Sequence, residues 1–352
     1  MTGVARIELR PDYEITRVIR GGWQLAGGHG AIDREAAIDD LVAAFDAGVT
    51  TFDCADIYTG VEELIGAFRA RLADLRGSDA VKAVKVHTKL VPDLAALAHI
   101  DNAYLERIVD RSLRRLRVER LDLVQFHWWS YATPGLIDAV RALDEMRRAG
   151  KIRHLGLTNF DTAHVREILG SGAEISSVQV QYSVLDQRPS SGLAALGAEH
   201  GVWLFCYGSV AGGFLSDRWL GASEPPAPFE NRSLVKYKLI IDDFGGWELF
   251  QELLRTLRRV ADRHGADIAT IASRWVLDKP RAAAVIVGAR NRAHVGDNAA
   301  ITSLDLFAED KAEIEAAIAR RRGPLGDVYE LERDLTGRHG SIMHYNNNAK
   351  TR

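Results

Sequence analysis

Eight short runs rich in Val, Ile and Leu alternate with longer amphipathic stretches, and this rhythm limits the fold more than any other feature of the chain. The runs predict strands at Ile15–Ile19, Val49–Cys54, Val81–Lys89, Leu121–Phe126, His154–Leu157, Ser176–Gln181, Val202–Cys206 and Ala283–Val287. They alternate only weakly in polarity, as parallel strands buried on both faces do. Helical stripes fall between them. Ile38, Leu41, Val42 and Phe45 are spaced for one helix face, with Asp33 as its N-cap and Gly48 as its stop. Leu64, Ile65, Phe68, Leu72 and Leu75 repeat the pattern, as do Leu105, Ile108, Val109, Leu113 and Leu116. A further stripe runs through Leu136, Val140, Leu143 and Met146 to Gly150. Eight strands with intervening helices predict a (β/α)8 TIM barrel. The alternative, a doubly wound sheet, usually carries a G-x-G-x-x-G turn, and none occurs here.

No linker divides the chain, so residues 1–352 are expected to form a single domain. Segment Phe214–Gly246, with Pro225, Pro226 and Pro228, is expected to be a long insertion acting as a lid or substrate loop. Asp327–Arg352 is a polar tail containing Asn346, Asn347 and Asn348, and its end is expected to be disordered.

Composition narrows the function classes. The net charge of −3 is spread along the chain, and no basic patch argues for nucleic acid. Cys54 and Cys206 both lie inside apolar runs, without a second ligand at metal spacing. Buried free thiols are expected, and no metal site. There is no apolar signal core and no run of ~18 apolar residues. Cytoplasmic residence is therefore expected, with no membrane partner. The oligomeric state is open.

Four polar residues fall at or just beyond the C-terminal ends of predicted strands: Asp53, Tyr58, Lys89 and His127. In a barrel those ends converge on one mouth. A phenol titrates near ~10 and is a poor acid at neutrality. An adjacent ammonium is expected to lower that value, with Asp53 holding Lys89 in place. Tyr58 would then protonate a carbonyl oxygen while His127 donates a hydrogen bond to the developing oxyanion.

The same residues carry a resemblance. T-F-D-C-A-D-I-Y-T-G-V-E-E-L-I-G at Thr51–Gly66, H-T-K-L at His87–Leu90 and L-D-L-V-Q-F-H at Leu121–His127 resemble the catalytic segments of the aldo-keto reductase superfamily. The resemblance extends over nearly the whole chain. It implies a carbonyl reductase of that barrel fold, with Asp53, Tyr58, Lys89 and His127 as its catalytic residues. It also implies a nicotinamide cofactor. G-G-W-Q, with Gly22, Trp23 and Gln24, resembles the loop beside the nicotinamide. Thr158, Asn159 and Gln179 would bind the carboxamide. Tyr207 would stack on the ring, and the amides of Gly208, Ser209, Val210 and Gly212 would meet the pyrophosphate. I-V-G-A-R-N-R-A-H-V-G-D-N at Ile286–Asn298 resembles the adenosine-phosphate segment, with Asn298 near the adenine.

Two departures stand out. Gly208-Ser209-Val210 replaces the family's S-P-L. Gly288 and His294 stand where a lysine and an arginine often hold the 2′-phosphate. Arg290 and Arg292 are placed to substitute, since a planar guanidinium suits phosphate. NADP(H) is therefore favoured over NAD(H). Trp23, Trp128 and Trp129 are expected to line the substrate pocket, for an apolar or flat carbonyl compound or a sugar face. One rival reading is an NADP(H)-binding partner protein, like the channel β subunits of this superfamily. Another makes Lys89 a Schiff-base lysine, which would need a depressed pKa.

Overall fold

The computed structural model describes residues 3–27, 30–288 and 294–348. Among the described residues there are ten strands: β1 (Arg6–Arg10), β2 (Tyr13–Thr16), β3 (Val18–Gly21), β4 (Thr51–Asp53), β5 (Lys85–Leu90), β6 (Leu121–Phe126), β7 (Ile152–Thr158), β8 (Ile175–Gln181), β9 (Trp203–Tyr207) and β10 (Ala282–Gly288). Strands β3 to β10 close into a barrel of parallel neighbours, β10 pairing with β3. Helices surround it, so the fold is the (β/α)8 barrel that the alternation predicts. Aspartates start several of these helices. The carboxylates of Asp33, Asp101, Asp161 and Asp267 each accept the backbone N–H three residues on, which satisfies a donor the helix cannot. Among the described residues no helix is long and apolar enough to cross a membrane.

Several sequence expectations need correction. The Ile15–Ile19 run is two strands, not one. Its first half, in β2, pairs antiparallel with β1, and its second half, in β3, enters the barrel. Between them the Arg17 guanidinium donates to the carbonyls of Leu277, Ala282 and Ala283. The β1–β2 hairpin covers the N-terminal end of the barrel. There Leu9, Tyr13 and Ile15 pack with Ile19, Leu123, Phe205, Ala283 and Ala284 as a separate apolar cluster, and the Tyr13 hydroxyl bonds His87 Nε2 at 3.1 Å. The Val81–Lys89 run begins too early, because Ser78–Ala83 is helical and β5 starts at Lys85. Leu75 ends its stripe exposed.

Phe214–Gly246 is not simply a loop. It contains the helix Arg232–Phe244, capped by the Asn231 side chain. Leu234, Tyr237, Ile240, Ile241 and Phe244 bury one face of it. The tail is packed as far as Asn348, while residues 349–352, on which the expectation of a disordered end falls, lie outside the described residues. It forms a short helix at Glu330–Arg333, and Asn348 donates to the Val91 carbonyl at 2.7 Å.

Candidate active site

The C-terminal ends of the barrel strands open into a cavity of about 640 Å3. Asp53 closes β4 and Lys89 lies near the end of β5. The Lys89 ammonium sits 2.6 Å from Asp53 Oδ2 and 2.9 Å from the Cys54 carbonyl, and 4.9 Å from the centre of the Tyr58 ring. The other Asp53 oxygen accepts from the amides of Gln125 at 3.0 Å and Gln179 at 2.7 Å. Both carboxylate oxygens are thus filled, which a buried charge requires. Burial works against the Lys89 charge, but Asp53 and Tyr58 raise its pKa above the ordinary lysine range. A Schiff-base role needs the opposite shift, so the ion pair argues against that reading.

Tyr58 follows in the loop after β4, its ring 5.1 Å from that of Trp23. The expected lowering of its pKa is not found. Burial raises the phenol above its usual value, and Lys89 offsets only part of that rise. Tyr58 therefore carries its proton at neutral pH and is equipped to donate it.

His127 comes directly after β6. Its Nδ1 lies 2.9 Å from the Thr158 carbonyl. A carbonyl only accepts, so Nδ1 bears the proton. Burial and the nearby Arg333 charge push the ring down to about 3, leaving it neutral. Its Nε2 is buried without a partner and presents a lone pair. This corrects the expectation that His127 donates to the oxyanion, since in this tautomer it accepts.

The remaining predicted residues divide. Trp23, Gln24, Trp129, Thr158, Asn159, Gln179, Tyr207, Gly208, Val210, Gly212, Gly288 and His294 all line the cavity. Asn159 takes a left-handed backbone, φ 63°, at the end of β7, and its Oδ1 accepts from the Tyr207 hydroxyl at 2.8 Å. Gly208 leaves no space for a side chain, because a Cβ there would meet the Tyr237 hydroxyl at 2.4 Å.

Four residues lie off the wall. Gly22 is packed against Asp53, its N–H donating to the Asp53 carbonyl at 2.8 Å. A Cβ there would meet that same oxygen at 2.8 Å. Ser209 is buried, with its hydroxyl 3.0 Å from that of Ser273. Asn298 belongs to the helix Val295–Ala300. Trp128 is corrected from pocket to core. It is 1% exposed, its ring packs 5.9 Å from Phe126, and its Nε1 donates to the Thr133 carbonyl. Arg290 and Arg292 lie outside the described residues.

Sequence reasoning missed Gln125, although it lies two residues before His127, the spacing that shares a strand face. It also missed the far wall. Lys236 and Tyr237 enter from the helix Arg232–Phe244, and Tyr329 and Met343 from the tail. Tyr329 meets His127 edge-on at 5.7 Å. Arg333 holds the tail down through the carbonyls of Trp129 at 2.6 Å and Asn159 at 2.8 Å.

The wall suits a nicotinamide cofactor. Amide and hydroxyl groups of Thr158, Asn159 and Gln179 stand beside the flat ring of Tyr207. The Oε1 of Gln24 is buried without a partner. Among the described residues no cluster of three His, Cys, Asp or Glu side chains could hold a metal ion.

Comparison with known proteins agrees with this geometry. A family model described as the aldo/keto reductase family matches residues 17–319. Flagellar radial spoke protein 5 of Chlamydomonas reinhardtii is 30% identical over 261 residues, covering 64% of this chain and 49% of that protein. The chain thus spans about half the length of that relative. The NADH-specific methylglyoxal reductase of Escherichia coli (strain K12) is 26% identical over 326 residues, 85% of this chain and 93% of the relative. Among solved structures, the thermostable aldo-keto reductase Tm1743 in complex with epalrestat is similar at 27% identity and a TM-score of 0.68. That likeness covers 89% of this chain and 99% of the other.

Proposed function

The chain belongs to the aldo/keto reductase family, whose members are nicotinamide-dependent oxidoreductases acting on carbonyls, and from that premise we propose that it reduces an aldehyde or ketone to an alcohol with NADPH, or runs the reverse, with Tyr58 as the proton donor. The observation that carries this reading is one cluster. The Tyr58 phenol, the Asp53–Lys89 ion pair and the unpartnered Nε2 of His127 share one cavity with the amides suited to a nicotinamide. When bound, the reduced nicotinamide supplies hydride to the carbonyl carbon. Thr158, Asn159 and Gln179 would hold its carboxamide, and Tyr207 would pack against its ring. As charge builds on the substrate oxygen, Tyr58 gives its proton. Lys89 stabilises the phenolate left behind, with Asp53 holding the ammonium in place. The hydroxyl of the alcohol so formed keeps its hydrogen toward the Tyr58 phenolate, and the reverse reaction starts by returning that proton to Tyr58, with the neutral His127 ring bounding the pocket beside it.

NADP(H) remains the favoured cofactor, through Arg290 and Arg292. The NADH-specific name of the Escherichia coli relative makes paired NADPH and NADH titrations the direct measurement. Two buried free thiols, Cys54 and Cys206, suit a reducing cytoplasm.

The test is Tyr58→Phe, assayed with a panel of aldehydes, ketones, quinones and sugars. Turnover should fall by ~10²–10⁴, the usual weight of a positioned acid, while NADPH affinity changes by less than about twofold, since the ring remains to pack. Unchanged turnover in this variant would end the proposal.

A further inference from the structure

Tyr58 stands on the loop 54–60, between the end of β4 and the helix Val61–Arg76. Its own backbone bonds are local. Its N–H donates to the Ala55 carbonyl at 3.0 Å, and its carbonyl accepts from Val61 at 3.0 Å. The loop is joined to the barrel by two backbone bonds, Cys54 N–H to the His87 carbonyl at 2.8 Å and Asp56 N–H to the Lys89 carbonyl at 3.2 Å. Among the described residues, Asp56 makes the last such tie before the phenol.

The rest of Asp56 is engaged as well. Its carbonyl accepts from Arg115 Nη1 at 3.2 Å, and its Oδ1 accepts from the Val91 N–H at 3.2 Å, just past the end of β5. Its Oδ2 faces Arg111 Nη2 at 3.5 Å. Arg111 and Arg115 lie one turn apart on the helix Asn102–Leu116. The side chain is fully buried. Burial, and then the charge of Glu62, push its carboxyl up to about 7, while Arg111, the Val91 N–H and Asn348 offset only part of that rise. An apolar group of similar volume in place of a buried charge is often no less stable. An acid at this position is therefore better explained by what it ties than by stability it adds. Ile57 and Tyr58 line the cavity and Asp56 does not, so Asp56 can act on the chemistry only through its neighbours.

The neighbour that matters is Tyr58. The help its phenol receives from the Lys89 ammonium, 4.9 Å from the ring centre, falls as the two move apart. Asp56 lies two residues before the phenol and is bonded to Lys89 itself and to Val91, two residues after it.

We propose that Asp56 is a positioning residue for Tyr58, fastening the loop after β4 to the end of β5 so that the phenol and the Lys89 ammonium keep one separation. This rests on the carbonyl-reduction reading above and adds to it a residue that touches no reactant.

The experiment compares Asp56→Ala and Asp56→Leu, each with Tyr58 intact and with Tyr58→Phe. The leucine keeps the branched shape and opens no void, so it answers even where the alanine variant does not fold. Turnover, carbonyl KM and NADPH affinity are measured, and hydrogen exchange is followed over residues 54–61. With Tyr58 intact, kcat should fall by ~10–10²-fold, the weight of a misplacement of ~1 Å, while KM and NADPH affinity stay within about twofold. With Tyr58→Phe, the same substitutions should change the residual turnover by less than about twofold, because no phenol is left to place. Exchange over residues 54–61 should quicken about tenfold, with β6 unaffected. An unchanged kcat overturns the proposal. So does an equal fall with and without the phenol, which is what general structural damage would give, or a loss confined to KM or NADPH affinity. A wild type that reduces no carbonyl would count against the reaction itself, while exchange would still decide the fastening: unaltered exchange over residues 54–61 overturns it.

Discussion

Asp53 is the most heavily bonded side chain in the site, with Lys89 on one oxygen and two glutamine amides on the other. Lys89→Met would leave its charge buried and opposed only by neutral amides. Losing one partner of such a pair costs ~3–5 kcal/mol, which urea unfolding would record. Adding Asp53→Asn should return much of that stability, because the stranded charge is gone, while turnover stays low in both. A double variant no more stable than the single would mean that Asp53 is not the charge Lys89 neutralises. At this scale the placement of Asp53, Tyr58, Lys89 and His127 was legible, since strand ends can be read from apolar runs. Their protonation was not. The ammonium beside Tyr58 could be anticipated, but burial, which outweighs it, is set by Trp23 and the enclosing wall. The His127 tautomer depends on a backbone carbonyl of the next strand, which leaves no mark in the pattern of side chains.

The far wall consists of elements whose cohesion is non-local. The short helix Glu330–Arg333 is held by the Arg188–Glu332 pair, with Asp186 on the other edge of the guanidinium. Burial alone would raise the Glu332 carboxyl, yet Arg188 holds it down to about 2. The folded value lies below the ~4.3 of a free glutamate, so this contribution is complete above that pH and is lost as pH falls toward 2. Glu332→Gln should cost ~2–3 kcal/mol at neutral pH and remove that part of the acid-induced loss. It should also raise KM for the carbonyl, because Tyr329 rides on the same segment. Thermal melts from pH 7 to pH 2 would show both effects on stability. An identical acid slope in the two proteins would exclude the ion pair as its source. Local composition concealed these elements. The tail reads as polar because it is tied by hydrogen bonds to Val91, Trp129, Asn159 and Arg188. In Arg232–Phe244 the apolar stripe was there to be read, but three nearby prolines drew the reading toward a loop.

At the scale of the molecule the barrel was legible and its floor was not. Alternation of Ile7 with Leu9 and of Tyr13 with Ile15, around Pro11–Asp12, marks the hairpin. Merging β2 with β3 into one run hid it. Because the floor lies at the opposite end of the barrel from the cavity, damage there should affect stability alone. Ile15→Ala should cost ~2–5 kcal/mol in denaturant melts and leave KM for NADPH and carbonyl unchanged. Altered kinetics would show that the two ends communicate.

The plugged floor also sets an order of traffic. With β1–β2 across one end of the barrel, both proposed reactants would reach the site from the strand-end side, where the tail covers part of the mouth. The proposed carboxamide contacts, Thr158, Asn159 and Gln179, lie at or near the ends of β7 and β8, whereas Trp129, Tyr329 and Lys236 line the cavity from the loop after β6, the tail and the helix Arg232–Phe244. A carbonyl compound that entered first would stand in the path of the larger guest. The proposed nucleotide is therefore expected to go in before its partner and to leave after it, a queue that product-inhibition kinetics would read.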